Sequence, residues 1–233
     1  MGSILREKGR TVAKISMLIY DLTGKTEEEI RMREQYSFLQ KMASAKSETF
    51  ENRLKLMLSN KESVGELEIV GDKAFEYRNG QHVNISRTCD DAIMRAIDEY
   101  FKGGKEVKAA FQKLVKQGLS GLIRDMSIGE TEEKLVLVYP ENYSIVRVDV
   151  MAYKYTFSSK GVLAKDVENL FVYTMSKSIV DHRKVGIDFL MHAVVDMMRG
   201  GFDEEPSLDE VMPLIKGLQM CWKLLDAGPV SFR

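Results

Sequence analysis

The stretch Lys134–Phe157, KLVLVYPENYSIVRVDVMAYKYTF, constrains the fold more than any other part of the chain. Two runs rich in Val, Ile and Tyr flank Pro140-Glu141-Asn142, a composition and punctuation that predict strand, turn and strand. In the second run Val146, Val148 and Val150 share one face and Arg147 and Asp149 the other. From Met151 the apolar side changes, because Met151, Tyr153, Tyr155 and Phe157 fall on the face that Arg147 and Asp149 began. Side chains alternate with a period of two, so this change of face predicts a bent or bulged strand near Met151-Ala152. It also predicts different packing at the strand's two ends.

The remaining segments read as what covers this hairpin. Residues 3–22 predict a first helix, and Thr26-Glu-Glu-Glu29 is a capping box that opens a second, running to about Ser59. Met32, Tyr36, Leu39, Ala43, Phe50 and Met57 give that helix an apolar stripe, interrupted at Lys46. Residues 66–86 predict three short strands, with Asn79-Gly80 as a hairpin turn because a type I′ turn needs positive φ at both central residues. Helices are expected at 88–102 and 105–117, across 163–199 with a break near 181–186, and from the capping box Ser207-x-x-Glu210 to about Ala227. Within 163–199, Leu170-Phe171-Val172-Tyr173 alone would suit a strand, but its surroundings Lys165, Asp166, Glu168 and Asn169 favour helix.

The expected fold is α+β, a mostly antiparallel sheet of about five strands (66–86 and 134–157) covered by N- and C-terminal helices. The chain reads as one domain over 1–233, with an N-terminal helical hairpin at about 3–59 and a C-terminal helical region at about 163–227. At 233 residues, 44% hydrophobic and 30% charged with 4 prolines, it can bury a core and does not have the composition of a disordered chain.

Several function classes are disfavoured by what the chain carries. The net charge of −1 gives no global attraction to nucleic acid or membrane. Cys89 and Cys221 have no metal-ligand spacing and fit thiols of an intracellular, cytoplasmic protein. The first ten residues are charged at positions 6, 7, 8 and 10 with no apolar core behind them, so no secretory signal is expected. No apolar run approaches the ~20 residues of a membrane-spanning helix. Gly103-Gly104-Lys105 has part of a phosphate-loop composition but lacks the first glycine and the Ser or Thr after lysine. Neither a nucleophile elbow nor a zinc-binding helix motif occurs, and no cofactor or metal is implied. His182 with Asp181 or Asp188, and His192 with Asp196 at i, i+4, are the pairs a hydrolytic or metal site would use. An i, i+4 His-Asp pair is more often a local surface hydrogen bond.

Charge distribution carries more information. Between Lys102 and Arg124 there is an excess of five positive charges, and between Asp203 and Glu210 an excess of five negative ones. Lys105, Lys108, Lys113, Lys116 and Arg124 are therefore the candidate site for an anionic partner, nucleic acid or anionic lipid included. The sequence is read as that of a non-enzymatic assembly or binding protein acting through protein–protein contacts, with self-association into a homo-oligomer foremost. The alternatives are a membrane-active protein of pore-forming type, using the amphipathic hairpin, and an anion or nucleic-acid binder through 102–124.

Overall fold

The computed structural model describes residues 26–59, 67–71, 73–83, 95–96, 99–100, 105–119, 121–122, 128–156, 169–199 and 207–227. The predicted helix at 3–22 and most of that at 88–102 lie outside them. In chain order the elements are α1 (Glu27–Ser59), β1 (Glu76–Val83), α2 (Lys105–Gly118), β2 (Gly129–Glu141), β3 (Ser144–Thr156), β4 (Asn169–Ile179), α3 (Ile187–Arg199) and α4 (Leu208–Asp226). The fold is α+β: one antiparallel sheet of four strands in the order β1-β4-β3-β2, with helices packed on it.

Local chemistry sets several boundaries. Thr26 and Glu29 form the reciprocal capping box, Thr26 N donating to Glu29 Oε2 at 2.7 Å and Glu29 N to Thr26 Oγ1 at 3.2 Å. The β2–β3 turn is the two-residue loop Asn142-Tyr143, with φ of 48° and 64°. Positive φ at both positions matches the right-handed twist of the flanking strands, so strand pairing extends through Pro140 and Glu141.

Three expectations are corrected. Among the described residues the sheet has four strands where about five were expected: within 67–83 there is one strand and an isolated bridge, Ile69↔Val180, because Asn79-Gly80 is not a turn, and 169–179 adds a strand. β1 runs straight through both residues, pairing Glu76↔Lys177 through Val83↔Leu170 with β4. Gly80 serves close approach: a Cβ there would collide with the ring of Tyr173, which lies directly across the pair. We expect Gly80→Ala to cost about 1–3 kcal/mol by overpacking, read as a lower urea midpoint at unchanged slope. No loss would show that the Tyr173 ring can yield.

The second correction concerns 169–179, expected to be helical and found as β4. This strand has a neighbour on each side and is buried along nearly its whole length, so Leu170-Phe-Val-Tyr173 reads as a continuous apolar run without alternation. Third, β3 has no bulge. Its pairing runs unbroken from Ser144 to Thr156 with β2 and from Val146 to Thr156 with β4. The change of face arises because both faces of a central strand are covered, by different things.

Val146, Val148, Val150 and Ala152 face one side with Leu135, Leu137 and Tyr139 of β2 and Phe171, Tyr173 and Met175 of β4. Phe111 and Leu114 of α2, Leu190 and Val194 of α3, and Leu214 and Leu218 of α4 close this main core. The covering helices thus include one from mid-chain. On the other side Met151, Tyr153, Leu170 and Val172 meet Ala43, Phe50, Leu54 and Met57 of α1.

Candidate functional site

α1 has 33 residues, so at ~1.5 Å per residue it is roughly 50 Å long. Its stripe returns every three or four residues, and Leu39, Ala43, Phe50, Leu54 and Met57 are buried by it. Lys46 interrupts the stripe for an electrostatic reason. Its ammonium meets Glu132 Oε2 of β2 at 2.8 Å and stands 4.3 Å from the centre of the Tyr153 ring. Arg53 reaches the same Glu132, so one carboxylate ties two turns of α1 to the sheet. Towards the N-terminus the same stripe continues through Met32 and Tyr36, both exposed. On the outward side, about 120° around the helix by the ~100° advance per residue, Phe38 and Leu56 are 64% and 69% exposed.

The predicted anionic-partner residues divide. Lys105, Lys108, Lys113 and Lys116 fall on an arc of about 140° of α2, opposite buried Leu114. Lys105 and Lys116 are exposed, Lys108 and Lys113 half-buried, and Arg124 lies outside the described residues. Lys108, Lys113 and Lys116 already interact with neighbouring groups of the protein, which reduces what they offer to a ligand. Of the acidic block, Asp209 is exposed in the first turn of α4, where a carboxylate complements the helix dipole. α2 packs against α4, so the described lysines of the basic block and Asp209 of the acidic block lie on adjacent helices of one molecule.

Sequence reasoning missed two buried charged centres, one on each face of the sheet. On the α1 face, Arg147 and Asp149 form a bidentate pair at 3.0 and 2.7 Å with 1% and 0% of their side chains exposed. Arg147 also donates to the Leu67 carbonyl at 3.0 Å. Burial pushes the Asp149 carboxyl up and the Arg147 guanidinium pulls it back. Across the pairing from them, Ser178 and Ser176 join Thr174 in a row of buried hydroxyls that have no hydrogen-bond partner within the protein.

On the opposite face, Lys177 is buried and donates to the Tyr100 carbonyl at 2.6 Å. Glu76 and Glu141 stand 3.3 and 3.5 Å from its ammonium, and the Tyr100 ring centre 4.5 Å away. Burial pushes the phenols of Tyr100 and Tyr139 far above the ordinary tyrosine value. The only early signal for this centre was a lysine inside an apolar run.

The histidines do not converge. His82 of β1 is half-buried 6.1 Å from the Tyr173 ring, and burial, then Arg95, lowers its pKa. His182 meets Trp222 edge-on at 6.3 Å, in an open cleft of about 870 Å³ between the 182–186 turn and the end of α4. The cations there are engaged, Arg183 by Asp181 and Lys184 by Glu68. His192 is exposed on α3. Among the described residues no group of three or more His, Cys, Asp or Glu could hold a metal ion, and no helix is long and apolar enough to cross a membrane. A second, smaller cavity of about 380 Å³ lies beside the last turns of α1, lined by Lys55, Leu56, Ser59, Lys73, Ala74 and Tyr77. Comparison with family models, with curated proteins and with solved structures finds no match to this chain.

Proposed function

We propose that the protein works by binding rather than by catalysis, as an assembly protein whose contact element is α1 and whose first partner is a second copy of itself. One observation carries the reading: α1 leaves four large apolar side chains, Met32, Tyr36, Phe38 and Leu56, exposed along a single helix. Single exposed apolar residues need no explanation, but four on one long element, Met32 and Tyr36 continuing the core stripe and Phe38 and Leu56 about 120° around from it, fit a contact surface. Helix faces of this kind bury themselves against a helix or groove of a partner.

Sedimentation velocity of the full chain over a wide concentration range tests this. Self-association at micromolar concentration is expected, and Met32→Glu with Tyr36→Glu should weaken it without lowering the thermal midpoint, because both side chains are already exposed. A chain that stays monomeric at high concentration and low salt refutes the reading.

A second reading, an anion binder through α2, is favoured by the shared solvent arc of Lys105, Lys108, Lys113 and Lys116. Binding to a polyanion such as heparin should then weaken steeply with salt. Deployment of β2–β3 as a membrane hairpin has less support, since β3 would have to leave β4 along eleven paired positions.

A further inference from the structure

β4 is a central strand, with β1 on one side and β3 on the other, so its backbone N–H and C=O groups are taken up by the two ladders. A hydroxyl on such a strand must find its partner in the layer that covers the face. Hydroxyls on the long helix show the contrast. Thr49 Oγ1 donates to the Ala45 carbonyl at 2.8 Å and Ser59 Oγ to the Leu56 carbonyl at 3.0 Å, a turn back on their own helix. Thr174, Ser176 and Ser178 lack that outlet. They occupy alternate positions of β4, so all three point to the α1 face, successive ones about 6.6 Å apart. Each residue is 0% exposed, and none of the three hydroxyls bonds to a group of the protein.

Across the pairing with β3, Ser176 faces Asp149 and Ser178 faces Arg147. The two oxygens of the Asp149 carboxylate accept one bond each from Arg147, at 3.0 and 2.7 Å. An ionised carboxylate has about four acceptor sites, so capacity remains. It stands one cross-strand step, about 5 Å between Cβ atoms, from a buried hydroxyl that does not reach it. Water spans a gap of that size, because two bonds of ~2.8 Å bridge groups up to about 5.6 Å apart.

We propose that this face of the sheet encloses an internal hydration site, in which ordered water molecules bond to the hydroxyls of Thr174, Ser176 and Ser178 and link Ser176 to the Asp149 carboxylate. Three hydroxyls and one carboxylate suit about two or three waters, each making roughly three bonds. Native interiors leave few polar atoms unpaired, and waters held by such groups are part of the fold. The site adjoins the apolar half of the same face, where Met151, Tyr153, Leu170 and Val172 pack against α1. Its waters donate to the Asp149 carboxylate and favour the charged form, against the burial that disfavours it. The site exists whether or not the chain self-associates.

High-resolution diffraction from crystals of the full chain tests this directly, and a water within hydrogen-bond distance of both Ser176 Oγ and an Asp149 oxygen is expected. Urea unfolding supplies the energetic counterpart. A water-bonded hydroxyl contributes stability and a dry buried one costs it, so the sign of its removal discriminates. Thr174→Val keeps the shape of the side chain and Ser176→Ala removes only the oxygen. Each should lower the urea midpoint by about 0.3–0.6 M at unchanged slope. A raised midpoint in either variant, or electron density with no water at Ser176, overturns the proposal.

Discussion

Asp149→Ala is expected to lower stability by about 3–5 kcal/mol, the largest effect of any single substitution in the sheet. Truncating the carboxylate leaves the Arg147 guanidinium charged and wholly buried, still donating to the Leu67 carbonyl but without its counter-ion. A buried charge that loses its counter-ion carries its desolvation cost without compensation, and that cost decides the sign. The pair itself is a different matter. Replacing both residues by apolar ones of similar volume, Arg147→Met with Asp149→Leu, removes both desolvation costs and should cost less than Asp149→Ala alone. Urea unfolding of Arg147→Met, Asp149→Leu and the double variant completes the cycle, with Asp149→Ala measured beside them. A double variant less stable than Asp149→Ala would mean that the pair contributes net stability. The hydroxyl row Thr174, Ser176 and Ser178 would then be the first place to look for further polar links, since those side chains share the face.

The parts of the fold that were legible from sequence are those whose causes are local. The Thr26–Glu29 box fixes the start of α1 with residues three apart, and the α2 and α4 helices follow from their apolar periods. β3 was legible as a strand, but its change of face implied a bulge only while one covered face was assumed. Once α1 lies on one side and α2, α3 and α4 on the other, a regular strand explains the same residues. β4 was obscured by the polar residues Lys165, Asp166, Glu168 and Asn169 before its apolar run, which favour helix. What makes it a strand is non-local: β1 and β3 pair on either side of it, and Glu141 from the end of β2 and the Tyr100 carbonyl meet its Lys177 inside the fold. Gly80 misled in the same way, since the ring that requires a glycine there belongs to Tyr173 on the neighbouring strand. Of the candidate site, the lysine arc on α2 could be placed from helical spacing alone. The cavity beside the last turns of α1 could not, because it is made jointly by α1 and residues 73–77.

Unfolding at alkaline pH is the second large effect, and the buried tyrosines determine it. Tyr100, Tyr139, Tyr153 and Tyr173 are all buried, and all four phenols are pushed up, Tyr153 to about 12, with burial the largest cause in each. Below the ordinary tyrosine value near 10, folded and unfolded chains both hold these protons and the stability is fully present. Above it the unfolded chain releases them and the folded chain does not, so stability falls as pH rises, until the folded phenols themselves ionise. Tyr100, Tyr139 and Tyr153, whose phenols rise farthest, each contribute a slope of about 1.4 kcal/mol per pH unit, so the three together remove roughly 4 kcal/mol in the first unit past their unfolded value, and Tyr173 acts in the same direction. That approaches the whole stability of an ordinary domain. The chain should therefore unfold cooperatively between about pH 10.5 and 12, with far-UV circular dichroism and tyrosinate absorbance changing together. Tyr139→Phe removes one of the three main groups and should make the decline shallower by about a third of its slope. Tyrosinate absorbance for all nine tyrosines rising smoothly around pH 10, with the dichroism unchanged, would show that these phenols reach solvent in the native state. It would also remove the tight packing of Tyr100 and Tyr139 around Lys177 on which the core of this face depends.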